Sequence, residues 1–170
     1  DPLPRRVFTS TYFDTLDHCL ARSSITLRRR VENGSPAWQL KVPLNGARWE
    51  IESQGPSKTP PPQVVDALIV LLEGKHLVPI AHLQTSRRAI RMGGNGTHAT
   101  DVMLDTVSVL RGGAVMQQFR EVEIESLDGR EQEIDRLAST LYHAGARHHD
   151  GRPKLFRALS LRYESPHAPS

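Results

Sequence analysis

FREVEIES, residues 119–126, is the stretch on which the fold turns. Glu121, Glu123 and Glu125 alternate with Val122 and Ile124. Successive side chains of a β-strand point to opposite faces, so the three carboxylates share one side and the aliphatics the other. Taken alone, this is an antiparallel strand with one wet face and one core face. Three carboxylates on a single ladder are also a candidate cation site, and the neighbouring strands must decide between the two.

Six further segments read as strands: 7–14, 24–32, 37–43, 47–53, 82–92 and 99–110, with 114–126 as the seventh. The turn sequences ENGSP (32–36), LNG (44–46), GGNG (93–96) and RGG (111–113) separate several of them, and Asn-Gly is a strong hairpin signal. Neighbouring strands are therefore expected to be antiparallel. Helical spacing marks PPPQVVDALIVLLEGKH, with Val64, Leu68, Leu71 and Leu72 on one stripe and Gly74 as the stop. It also marks EQEIDRLASTLYHAGA, with Ile134, Leu137, Leu141 and Tyr142 on the stripe and Gly145 at the end. RPKLFRALSLRY is a short third helix, and residues 164–170 read as a tail or linker.

The same segregation recurs from strand to strand. Arg28 and Arg30 oppose Leu27 and Val31; Gln39 and Lys41 oppose Trp38, Leu40 and Val42; Arg48, Glu50 and Glu52 oppose Trp49 and Ile51; Asp101 and Asp105 oppose Val102 and Leu104. For any one such strand, solvent is the default partner of the charged face. Helices must cover the apolar faces, however, and a closed sheet then turns its charged faces inward. The fold class that follows is α+β, mostly β: an antiparallel tunnel with helices outside and a lining of both signs. Seven strands are an awkward count for an all-antiparallel closed barrel, so an eighth is expected upstream of Asp1.

Composition narrows the function. The 170 residues form one domain with enough chain for a core. A net charge of +3 permits an anionic partner but is too mild to argue for nucleic acid. The single cysteine, Cys19, excludes a disulfide framework and a cysteine zinc site and points to a reducing, cytoplasmic setting. The longest apolar stretch, residues 64–72, carries Asp66 and is too short to cross a bilayer. Asn95-Gly-Thr97 reads as a turn, and His148 and His149 as loop residues without metal spacing.

STYFDT (10–15), SITLRRR, WQLKVP, RWEIE, LDTV (104–107), REVEIE and GRPKLFRAL occur in an order that resembles the CYTH domain, the triphosphate tunnel metalloenzymes, and most nearly the bacterial CYTH–CHAD subgroup. The likeness covers residues 1–163 and rests on the ordered series, since YFDT or EVEIE alone would be weak. It implies an eight-stranded tunnel and a metal-dependent hydrolase of inorganic triphosphate (tripolyphosphate) or a related triphosphate. The family's ExExK hallmark does not occur in this chain; its place lies before the YFDT stretch, upstream of Asp1.

By resemblance, Asp105, Glu123 and Glu125 would hold Mg²⁺ or Mn²⁺, hard cations that prefer oxygen ligands, and Glu121 shares their face. Arg28, Arg30, Lys41, Arg48, Arg87 and Lys154 would clamp the phosphates, guanidiniums matching phosphate oxygens two at a time. Glu123, Glu125 and Lys41 are the residues expected to carry catalysis, and Glu50 and Glu52 are candidates to orient arginines or serve a second metal. The plain alternative is a Glu–Arg ladder, which stabilises a sheet by ~0.2–1 kcal/mol per pair and needs no ligand. Arg29, Arg88 and Arg91 read as ordinary exposed charges, and Trp38 and Trp49 are expected under the helices. Two other functions stay open: a polyphosphate-binding module without turnover, should ExExK be missing, and a class IV adenylyl cyclase. A CHAD domain downstream is the partner domain that the subgroup implies.

Overall fold

The computed structural model describes residues 1–44, 47–93, 99–127, 131–147 and 154–159, with the side chains of 47, 48 and 131 left out. The 164–170 tail, Asn95–Thr97, most of the GGNG turn, His148, His149 and the Arg48 side chain lie outside the described residues.

The seven expected strands are present: β1 (Arg6–Asp14), β2 (Thr26–Glu32), β3 (Ser35–Leu44), β4 (Ala47–Gln54), β5 (Val78–Met92), β6 (Thr100–Arg111) and β7 (Ala114–Ser126). They form one antiparallel sheet in the order β4-β3-β2-β1-β5-β6-β7. Two turns fix register, one between β2 and β3 and one between β6 and β7. Asn33 and Gly34 both have positive φ, as do Gly112 and Gly113, which is what a two-residue type I′ hairpin turn requires. The strand β5 begins four residues before the predicted start, because Val78-Pro79 still pairs with Asp14 and Phe13 past an irregularity in β1.

The helices are α1 (Cys19–Arg22), α2 (Pro62–Leu72), α3 (Glu131–His143) and α4 (Lys154–Leu159). The α1 turn has no counterpart in the sequence reading. Its nucleus is the wholly buried Asp14 carboxylate, which accepts hydrogen bonds from the Leu20 and Ala21 amides at 2.9 and 3.0 Å. In α2, Val64, Leu68 and Leu72 recur every four residues and pack on Leu27, Trp38 and Leu40, the apolar positions of β2 and β3. This is the main core, and it leaves Arg28, Arg30, Gln39 and Lys41 on the other side of the sheet. The inferred inversion, charge within and aliphatics under helices, is what these strands show.

The cover is uneven. Trp38 is buried at 1%, whereas Trp49 is 49% exposed: the core under α2 takes in Ile51 of the terminal strand β4, and Trp49 lies beyond it, nearer the β3–β4 turn. Ile90, Leu104 and Val122 on the outer side of β5, β6 and β7 are also about half exposed. In α3, which packs along β7, Tyr142 lies off the half-buried stripe of Ile134, Leu137 and Leu141. The short α4 lies on the charged face: Leu155 packs with Tyr12, Leu83 and Val107 and closes off part of that side.

Candidate functional site

The charged face encloses a cavity of ≈ 690 Å³. Strand parity determines what lines it. On β1, Phe8 and Tyr12 point inward; on β2, Thr26, Arg28 and Arg30; on β3, Gln39 and Lys41. On the other half, Arg87 comes from β5, Met103 from β6, Glu121, Glu123 and Glu125 from β7, and Lys154 from the start of α4. One wall is thus largely cationic and the other largely anionic.

The anionic wall is built on register. In the antiparallel ladders, Arg87 stands opposite Asp105, which stands opposite Glu121. Asp105 is wholly buried and takes two hydrogen bonds from Arg87, at 2.7 and 2.8 Å, and one from Lys154 Nζ at 2.7 Å. Arg87 also donates to Glu123 at 2.6 Å. Lys154 Nζ lies 3.3 Å from Glu121 and 3.5 Å from Glu123, and Arg157, one helical turn on, donates to Glu121 at 3.0 Å while stacking on Phe119. Burial raises the Asp105 carboxyl, but the bonds from Arg87 and Lys154 outweigh it and hold its pKa below the ordinary aspartate range. Burial acts against the Lys154 ammonium too, and the facing carboxylates Glu123 and Asp105 leave its pKa raised. Asp105 and Lys154 therefore both carry charge at neutral pH.

Asp105, Glu121 and Glu123 each bring a carboxylate oxygen within 4.8 Å of the others. Such a set of hard oxygen donors suits Mg²⁺ or Mn²⁺, and the three-way approach of Lys154 Nζ marks the point between them as one that gathers positive charge. Glu125 does not join the trio. It stands opposite Asp101, one ladder step beyond Glu123, and Asp101 is taken by Arg91 through two 2.7 Å bonds. Of the four carboxylates expected at the cation site, Asp105, Glu121 and Glu123 converge, and Glu125 lines the cavity farther along β7.

The cationic wall is less self-neutralised. Arg28 donates to Gln39 at 2.7 Å and to the Tyr12 hydroxyl at 3.2 Å, and Gln39 is held in turn by Glu52 at 2.6 Å. Lys41 pairs with Glu50 at 2.8 Å across β3–β4. Glu50 and Glu52 thus brace the cationic residues and stand apart from the carboxylate trio. Arg30 donates to Glu32 at 2.6 Å, and Arg6 grips the same carboxylate through two bonds. Arg87 and Lys154, grouped with the phosphate clamp by resemblance, line the cavity among the carboxylates of the anionic wall. Sequence reading missed Phe8, Tyr12 and Arg157 as site residues. Phe8 and Tyr12 share the inward parity of β1, and Arg157 follows Lys154 by three on a helix, which puts both on one face.

The CYTH domain family matches this chain over residues 4–149. A Mycobacterium tuberculosis protein, found in strains CDC 1551 and H37Rv, is 31% identical over 176 residues, covering 92% of this chain. The chain spans about a third of that relative's length, 34%. Among solved structures, a Bacillus halodurans protein named as a candidate adenylate cyclase superposes with a TM-score of 0.65 at 21% identity, over 90% of this chain and 82% of that one. A Pyrococcus horikoshii OT3 protein gives 0.60 at 20% identity, covering 94% and 87%. A Hippeastrum protein named for adenylyl cyclase, and described as having a dominant triphosphatase activity, gives 0.57 at 18% identity over 93% and 83%. Among the described residues, no helix is long and apolar enough to cross a membrane. With its sheet, its inward charges and the match over residues 4–149, this chain belongs to the CYTH domain family.

Proposed function

We propose that this domain hydrolyses inorganic triphosphate, or a closely related triphosphate, with the help of a hard divalent cation. The observation that carries the reading is the facing of two charge sets across one cavity: Arg28, Arg30 and Lys41 on one wall, and on the other Glu121 and Glu123, which converge with the wholly buried Asp105. A polyanion alone would be repelled by the carboxylates, and a cation alone would have no use for the arginines. A phosphate chain with its counter-ion suits both.

In this reading the guanidiniums of Arg28 and Arg30 and the Lys41 ammonium bind the phosphate oxygens and orient the chain along the sheet. Arg87 positions Asp105 and keeps it ionised. Bound Mg²⁺ or Mn²⁺ would be held by Asp105, Glu121 and Glu123 and would supply Lewis-acid neutralisation of the phosphate oxygens. Water adds to a terminal phosphorus, the bridging P–O bond breaks, and phosphate and pyrophosphate leave. Most of the protein's contribution is then positioning and charge, as phosphoryl transfer generally needs.

The test is phosphate release from tripolyphosphate by the full natural protein with Mg²⁺ or Mn²⁺, beside Glu123→Gln. Metal-dependent turnover that Glu123→Gln removes is the expected result. Tight binding with no turnover would leave a binding module, and cyclic AMP formed from ATP would make the protein a cyclase.

A further inference from the structure

Phe8 lies where the two walls meet. It is 3% exposed, lines the cavity, and sits on β1 between the strands that carry Arg30 and Arg87. The Arg30 guanidinium lies over its ring, 3.7 Å from the centroid, and that of Arg87 lies 5.7 Å away. Phe8 pairs with Glu32 on β2 and Thr85 on β5, so Arg30 and Arg87 are its diagonal neighbours, one toward each end of β1. The two arginines differ in what else holds them. Arg87 is committed to Asp105 and Glu123. Arg30 is tied only through Nη2, to a Glu32 already gripped by Arg6, and its buried Nε has no hydrogen-bond partner among the described residues.

We propose that Phe8 is a positioning residue for anion recognition: its ring holds the Arg30 guanidinium flat while Glu32 pins Nη2, leaving the cavity-facing edge of the guanidinium as a fixed donor to a phosphate oxygen. The inference rests on the phosphate-binding reading given above. A flexible arginine reaching into a cavity must be ordered when the ligand arrives, whereas stacking on an aromatic face orders it beforehand. Aromatic stacking also suits guanidinium and not ammonium in its planarity, so Arg30 is not replaceable by lysine here. The ring further separates Arg30 from Arg87, so that the cation serving the ligand is not drawn onto the carboxylate trio.

The proposal is tested by calorimetric titration of tripolyphosphate into the wild type, Phe8→Leu, Phe8→Tyr, Arg30→Lys and the Phe8→Leu/Arg30→Lys double variant, with thermal unfolding measured on each. Phe8→Leu is expected to weaken binding about tenfold and Phe8→Tyr to stay within about twofold of the wild type. Arg30→Lys should match the loss of Phe8→Leu, and the double variant should lose no more than either, since both act through one guanidinium. Additive losses in the double variant would overturn the proposal, because Phe8 would then be acting on the fold and not through Arg30. So would unchanged binding by Phe8→Leu beside a clear loss in Arg30→Lys, with the phosphate-binding reading left standing. A wild type that does not bind tripolyphosphate would overturn both.

Discussion

Arg87 and Asp105 face each other across β5 and β6, joined by two hydrogen bonds of 2.7 and 2.8 Å with the carboxylate wholly buried. The pair does two things at once. It keeps a carboxylate charged in a place where burial alone pushes its pKa up, and it makes the fold depend on a group of the site.

The first prediction follows from that dependence. Arg87→Met leaves Asp105 buried with Lys154 as its remaining cation, and removing one member of a buried pair costs about 3 kcal/mol. For a domain of this size the melting point should fall by roughly 6–12 °C. Urea denaturation checks it; a loss below about 1 kcal/mol would mean that Lys154 alone satisfies Asp105.

The inward face was legible in the sequence because it depends only on parity. Alternation in ITLRRRV, AWQLKVP and REVEIES settles which side chains share a side, whatever their partners. What parity cannot supply is register. Whether Glu121 or Glu125 joins Asp105 depends on which residue of β7 stands opposite Asp105; a slip of two residues would put Glu123 there and a slip of four Glu125, without changing any pattern. The position of α4 was equally invisible: KLFRAL reads as a short amphipathic helix, but nothing local says that Leu155 docks on Tyr12, Leu83 and Val107 and so carries Lys154 to the carboxylates.

The second prediction uses that difference. Mn²⁺ or Mg²⁺ should raise the thermal unfolding temperature of the wild type, and chelation should reverse it. Glu121→Gln and Glu123→Gln should abolish most of the shift, whereas Glu125→Gln should retain it, since Glu125 lies outside the trio. Equal loss in all three would place Glu125 among the ligands.

The third prediction concerns acid. Hydrogen bonds from Arg91 hold Asp101 below its ordinary pKa, and those from Arg6 do the same for Glu32. Carboxylates depressed in the folded state stabilise it fully above their unfolded values, about 4, and lose that contribution as pH falls through the folded values. Unfolding free energy should therefore be flat in this respect above pH 5 and decline below pH 4. Asp101→Asn should be less stable at pH 7 and show a shallower decline; a parallel curve would show that the Arg91 pair contributes nothing.

A fourth prediction separates fold from site. Gly34 has φ +77°, and a Cβ there would meet nothing within 4 Å. Gly34→Ala should cost only the left-handed backbone penalty, about 1 kcal/mol, with no change in tripolyphosphate affinity. A larger loss, read by urea denaturation, would mean that the β2–β3 register depends on this turn more than on the core under α2.

The Tyr12 hydroxyl offers the last and most local test. It accepts from Arg28 Nη1 at 3.2 Å, while Gln39 holds Nε at 2.7 Å, so Arg28 is fixed from two sides. Tyr12→Phe keeps the ring that packs with Leu83, Val107 and Leu155 and removes only the oxygen. Losing one such tether should cost about 0.5–1 kcal/mol of ligand positioning, a KM for tripolyphosphate raised roughly two- to fivefold. Because Arg28 would contact the phosphate chain in ground state and transition state alike, kcat should change by less than about twofold. A fall in kcat with KM unchanged would instead put the Tyr12 hydroxyl, or the Arg28 it steers, on the reacting phosphoryl group.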